Sequence, residues 1–302
     1  MIRDSGPPPA HPAISRALAH ELLAAQLPEL ADLEVGERFD GWDMVVFRVG
    51  PELALRLPRV AGAVGPLERE NHLLTTVGAG WTFAHPRVVA TGDPQGDYPW
   101  PWAVVSWLQG GTADVSPLRD DATGAVGAAL AQVHVPAPAE AWVNPEQSIP
   151  LGERVENLEW ALDLLAEAEG PSGERLSVAG AREIWREAVA APGPTEEVWS
   201  HADPHGSNLL SVDGEFGGII DWGKMARCER AVDLSFLYTA TSAAGVATAV
   251  AAYRDASSCD DPGLDARLRG IAVTKCASWA VLDRPLNVMM AWRGFAELGL
   301  VV

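Results

Sequence analysis

His201-Ala202-Asp203-Pro204-His205-Gly206-Ser207-Asn208-Leu209-Leu210, followed by Ile219-Ile220-Asp221-Trp222-Gly223, is the stretch on which the reading of this chain turns. A lone carboxylate, Asp203, is followed five residues later by an amide, Asn208, and a second carboxylate, Asp221, closes a short apolar run. Moving a phosphoryl group from a magnesium nucleotide to an alcohol asks for this set: a base near the hydroxyl, oxygen ligands for the metal, and positive charge on the phosphates. Asp203 is the candidate base. Asn208 and Asp221 are the candidate magnesium ligands, because this hard cation takes carboxylate and carbonyl oxygens. Between them, 209–212 and 216–220 read as two short strands around Asp213-Gly214, a hairpin signal. Such a hairpin returns residue 221 to the end where 208 lies, as one shared metal requires.

The Asp-x4-Asn spacing and the Asp-Trp-Gly at 221–223 resemble a kinase catalytic loop and its Asp-Phe-Gly. On these motifs the chain, from about residue 33 to 240, resembles the antibiotic phosphotransferases, the aminoglycoside and macrolide kinases with a protein-kinase-like fold. That resemblance implies an α+β, bilobal architecture. A small β-rich N-lobe (1–107) would bind nucleotide, and a larger, mostly helical C-lobe (108–302) would carry the catalytic loop, the metal site and the acceptor pocket. It also implies Mg2+ with GTP or ATP as phosphate donor, and an antibiotic hydroxyl as acceptor. Two departures stand out: Ala202 where the family usually has Gly, and Glu229-Arg230 where it tends to have Asp-Pro before Asp233. Neither touches a catalytic group. His201 and Asp233 are expected to anchor the catalytic loop.

Size and composition are compatible with this. At 302 residues the chain can bury a large core. It has no apolar run long enough to span a membrane, and Met1 to Pro12 reads as a floppy, proline-rich tail without a signal-peptide core. Three cysteines, Cys228, Cys259 and Cys276, form no metal-type pair and no disulfide framework. A cytoplasmic monomer is expected. With 22 basic against 41 acidic residues, a net charge of −19 excludes nucleic acid as a partner. The phosphate site must then be locally less acidic, and residues 36–60 set Arg38, Arg48, Arg56 and Arg59 against Glu37, Asp40, Asp43 and Glu52.

In the first lobe, Ile14, Leu18 and Leu22 predict a helix over 13–27 that ends at Pro28. Residues 33–57 read as strands, with Arg56 on the face opposite Leu55 and Leu57. The turn 39–44, with Asp40, lies where a kinase covers its phosphates. Pro66 to Val77 reads as a helix whose inward face, Leu67, Glu70, Leu74 and Val77, includes a glutamate that needs a partner. By resemblance to the kinase Lys–Glu pair, Arg56 is the expected partner, replacing lysine and remaining charged; were Glu70 instead at the solvent edge of the face, Glu68 would be an equal candidate. The strand 102–107 runs into Leu108-Gln109-Gly110-Gly111, which resembles a hinge; backbone groups around Ser106 and Leu108 would meet the purine edge.

The remainder reads as helices over 117–134, 151–168, 177–190, 232–256 and 263–299 in pieces, with Val155, Leu158, Leu162 and Leu165 forming one buried stripe and His134 structural. Between 151 and 197 stand 11 acids and 4 bases, a solvated face or an attraction for a cationic substrate. From Leu264 to the C-terminus there are five bases and three acids, with Trp279, Met289, Met290 and Trp292 as large apolar groups. An apolar wall with adaptable methionines suits the broad ring of a macrolide better than a polycationic aminoglycoside. The 2'-hydroxyl of a macrolide amino sugar is therefore the expected acceptor, with His205 and Glu229 seating the sugar and Trp279, Met289 and Met290 meeting the ring. Competing readings are an aminoglycoside kinase, a kinase of another small alcohol, a zinc hydrolase using His201, Asp203 and His205, and a nucleotide-binding protein without turnover.

Overall fold

A computed structural model describes residues 9–302; the first eight residues of the expected N-terminal tail lie outside it. The described chain falls into two compact units, one of residues 9–80 with 84–109, the other of 110–302 with Trp81–Phe83. The architecture is α+β and bilobal, with a β-sheet N-lobe and a helical C-lobe.

The N-lobe holds helix α1 (Arg16–Gln26), strands β1 (Val35–Asp40), β2 (Met44–Val49) and β3 (Leu53–Pro58), helix α2 (Val64–Thr76), and strands β4 (Val88–Gly92) and β5 (Trp102–Ser106). The strands form one antiparallel sheet in the order β1-β2-β3-β5-β4. Alternation sends Leu55 and Leu57 to one face, where they join Phe47, Trp102 and Val104 under Leu22 and Leu23 of α1. Met44 and Ala103 meet Leu67 of α2 in a second cluster. Both faces of β3 are therefore covered, which explains its nearly continuous burial. Helix α2 begins at Val64, two residues before Pro66; proline is tolerated there because first-turn N–H groups have no intrahelical partner. β4 was not foreseen, since its short run of mixed exposure carries no clear alternation.

The C-lobe comprises β6 (Gly111–Thr112), α3 (Gly124–Val133), α4 (Val155–Leu165), α5 (Val178–Ala190), β7 (Glu197–Ser200), β8 (Leu209–Val212), β9 (Glu215–Ile219), β10 (Ala226–Glu229), α6 (Ala231–Ser235), α7 (Leu237–Ala240), α8 (Ala243–Ser257), α9 (Leu264–Ala280) and α10 (Pro285–Glu297). Helix α3 is shorter than its expected 117–134. The Thr123 hydroxyl, with one proton to donate, lies 2.7 Å from the carbonyl oxygens of both Asp120 and Gly245 where the preceding turns meet the helix. On α4 the buried stripe is Leu158, Ala161, Leu162 and Leu165; Val155, at the first turn, is 40% exposed and falls off it. Helix α9 forms the centre of the lobe, buried along most of its length. Among the described residues no helix is long and apolar enough to cross a membrane.

Candidate active site

The expected hairpin is present. β8 and β9 pair antiparallel, Leu209 opposite Ile219, with the turn at Asp213 and Gly214, both at positive φ. The pairing continues past the strands, since Ile220 N–H donates to the Asn208 carbonyl at 2.9 Å. Asn208 and Ile220 are thus neighbours, and Asp221 is one residue further on. Its φ of 63° breaks the strand, and Asp221 is exposed. Asn208 Nδ2 donates to the Asp203 carbonyl at 2.9 Å. That fixes the amide and leaves Oδ1, an oxygen donor, as its other polar atom. Asn208 and Asp221 together offer the hard oxygen donors that suit magnesium.

The loop carrying Asp203 is held from below. Asp233, fully buried on α6, accepts the His201 N–H at Oδ2 (2.7 Å) and the Ala202 N–H at Oδ1 (2.8 Å). Ala202 adopts φ 67°, where a β-carbon costs about 1–2 kcal/mol. A residue without one would fit there unstrained. Asp233 Oδ2 also takes His134 Nε2 at 3.0 Å, and His134 Nδ1 meets Tyr253 Oη at 2.9 Å. Arg230 Nη1 donates to the same hydroxyl at 2.9 Å and Arg230 pairs with Glu196. Arg230 thus ties the far end of this buried chain, and His134 is structural. His201 uses both ring nitrogens locally: Nε2 donates to the Ile220 carbonyl (3.0 Å) and Nδ1 accepts the Asp203 N–H (3.2 Å). A zinc site made of His201, Asp203 and His205 therefore does not form.

Around the Asp203 carboxylate the structure gathers groups that the sequence reading had not connected. Lys224 Nζ lies 3.2 Å from Asp203 Oδ2, and His205 Nε2 lies 3.7 Å from it. His205 Nδ1 accepts the Ser207 N–H, which places the ring proton on Nε2, facing Asp203. Burial pushes His205 below its ordinary value, against the pull of Asp203 and Asp221. Burial also opposes ionisation of Asp203, but His205, Lys224 and Lys275 outweigh it and hold the carboxyl below the usual range. Lys224 is raised despite burial, by Asp203 and then Glu146. Lys275 on α9 is buried, donates to Gln147 Oε1 at 2.9 Å, and lies over the rings of Phe236 (4.8 Å) and Trp279 (5.7 Å). Burial lowers it to about 8.

Other expected acceptor residues are distributed differently. Trp279 meets His205 edge-on at 5.4 Å and Phe236 at 5.9 Å, and is part of this cluster. Glu229, by contrast, is committed to a buried ion pair with Arg267 at 2.7 Å, which also grips Asp261 at 2.5 Å. Met290 is 2% exposed, inside the helical core, whereas Met289 is 52% exposed on α10. Two signals could have found the missed residues. Lys275 and Trp279 stand four apart and share a helix face. Lys224 and Lys275 are also the only lysines in a chain whose other 20 basic residues are arginines.

In the N-lobe, Arg56 pairs with fully buried Glu70 of α2. Asp40 binds Arg38 at 2.7 Å and Arg59 at 2.6 Å, and these, Arg38 first, bring its carboxyl down to about 2. Ser106 N–H donates to the Arg87 carbonyl (2.8 Å) and Trp107 N–H to that of Glu52 (2.7 Å), so the chain leaves the sheet as an extended segment toward Leu108.

Among solved structures the chain is similar to an aminoglycoside 2'-phosphotransferase-IIIa in complex with GDP (16% identity, TM-score 0.65, covering 95% of this chain and 99% of that one). It is also similar to a type I macrolide 2'-phosphotransferase (17%, 0.61, 91% and 95%) and to the apo macrolide 2'-phosphotransferase MphH of Brachybacterium faecium (19%, 0.58, 91% and 98%). At such identities these likenesses establish the fold. No curated protein matches the chain in sequence. A family model does: the phosphotransferase enzyme family matches residues 35–270, spanning the paired Arg56 and Glu70, the loop of Asp203 and the hairpin that ends at Asp221, and the chain belongs to that family.

Proposed function

We propose that this protein transfers the γ-phosphoryl group of a magnesium nucleoside triphosphate to a hydroxyl of a small-molecule antibiotic. The observation that carries this reading is the convergence of Asp203, Asn208 and Asp221, through the Asn208–Asp203 hydrogen bond and the Ile220–Asn208 link across the hairpin. Asp203 orients the acceptor hydroxyl and takes its proton, and Lys224 keeps the carboxylate ionised beforehand. Asn208 and Asp221 would hold magnesium, which when bound neutralises charge on the phosphates. In the N-lobe, Arg56 would meet the phosphates, oriented by Glu70. The turn with Asp40 would cover them, and the backbone at Ser106 and Leu108 would meet the base. The aminoglycoside enzyme of similar fold holds GDP, which supports GTP or ATP as donor.

For the acceptor we favour the amino-sugar 2'-hydroxyl of a macrolide. An aminoglycoside would bring several ammonium groups against Lys224 and Lys275. A macrolide brings one amine, and its apolar ring suits half-buried Trp279 and exposed Met289. Product masses after incubation with ATP or GTP, magnesium, and either one macrolide or one aminoglycoside test this. A single added phosphate on the macrolide is expected. Phosphorylation of the aminoglycoside alone would keep the kinase and overturn the acceptor, and a folded protein that transfers to neither would overturn the antibiotic reading.

A further inference from the structure

Lys224 is one of two lysines in the chain, and its ammonium lies 3.2 Å from Asp203 Oδ2. It follows Asp221 by three residues, in the short turn 222–224 that leads into β10. Its other carboxylate contact is loose: Glu146 stands 3.7 Å away and its side chain is 68% exposed. The Lys224 side chain is 45% exposed, so it is anchored by the base rather than locked in the core.

We propose that Lys224 is a catalytic residue that binds the non-bridging oxygens of the phosphoryl group in flight. This rests on the kinase reading and adds a residue to it. The reacting hydroxyl must lie at Asp203 and the phosphates on the side of Asn208 and Asp221. The phosphoryl group in transfer therefore passes between them, and a cation three residues beyond Asp221 that already touches Asp203 borders that path. A lysine suits this task because its compact ammonium is a mobile point charge.

The contact seen here also couples two events. While Lys224 holds Asp203 Oδ2, that oxygen is occupied by the ammonium. When the phosphoryl oxygens draw the ammonium away, the carboxylate oxygen it held is freed to face the acceptor hydroxyl. The new O–P bond then forms, the bond from phosphorus to the β,γ-bridging oxygen breaks, the nucleoside diphosphate leaves with that electron pair, and the proton passes to Asp203.

The test compares the intact protein with Lys224→Met and Lys224→Arg. Calorimetry measures affinity for the magnesium nucleoside triphosphate, and for the diphosphate with and without aluminium fluoride, which imitates the phosphoryl group in flight. In the Met variant the gain in diphosphate affinity from aluminium fluoride should fall by about 10²–10³-fold, the usual loss for one donor aimed at developing charge. Triphosphate affinity should change less than about threefold, and Arg should restore part of the gain. A gain that survives in Lys224→Met, in a protein that binds triphosphate normally, would overturn this proposal alone. Failure of the unmodified protein to bind triphosphate would overturn the kinase reading and the proposal together.

Discussion

Asp203 and Lys275 show how differently two buried charges can be used. Asp203 is held below the usual carboxylate range, against burial, by His205, Lys224 and Lys275, as the proposed base requires. Replacing it by Asn keeps the shape and removes the base. Asp203→Asn should lower transfer by about 10²–10⁴-fold while nucleotide affinity stays within about threefold, read by steady-state kinetics and calorimetry. Lys275 is the reverse case, a cation that burial disfavours, lowered to about 8 from an ordinary 10.5. Below pH 8 both folded and unfolded forms are protonated, and the folded state bears the cost of the buried charge, on the order of 3 kcal/mol. Between pH 8 and 10.5 the unfolded chain binds more protons, so stability rises with pH across that window. Lys275→Met should therefore be more stable than the native protein in urea at pH 7, with the advantage shrinking by pH 10.

At the scale of elements, the site is a loop and a hairpin fastened to a helical lobe. The fastening is Asp233, whose two oxygens take successive backbone N–H groups of the catalytic loop. Asp233→Ala would leave both donors buried and unsatisfied. We expect a loss of about 4 kcal/mol in denaturant unfolding, with transfer falling alongside. The lobe itself depends on close helix approach. A β-carbon on Gly127 of α3 would lie 1.9 Å from the Ala249 carbonyl oxygen of α8, which is backbone and cannot rotate away. Gly127→Ala should cost about 2 kcal/mol, overpacking outweighing better helix propensity. The same change at Gly65 of α2, where nothing lies within 4 Å, should be neutral or stabilise by less than about 1 kcal/mol; thermal melts of the pair separate the two effects.

For the whole molecule, a net charge of −19 sets how it meets polyanions. Phosphate backbones bind through clustered lysine and arginine. Here the arginines are largely spent in internal pairs, such as Arg230 with Glu196 and Arg267 with Glu229 and Asp261. The protein should pass unretained through a DNA column even at low salt; retention released by salt would contradict this. Local composition escapes the global balance at Asp203, where both lysines of the chain gather.

The sequence by itself determined the catalytic hairpin and the family, because the chemistry there is local. Asp203 and Asn208 are five residues apart, and a tight turn at 213–214 returns the chain to Asp221. Helices with strong periodicity were legible for the same reason. What only the tertiary structure decided is non-local: β7 pairing with β10 across 25 intervening residues, the chain from Asp233 through His134 and Tyr253 to Arg230, and Lys275 beneath Asp203. It also decided against isolated residue types. Glu229 was a plausible sugar ligand until Arg267, distant in sequence, claimed its carboxylate. Patterns of spacing report which residues share an element. Which charges face each other, and so which are neutralised or left to work, follows from packing between elements that no local pattern encodes.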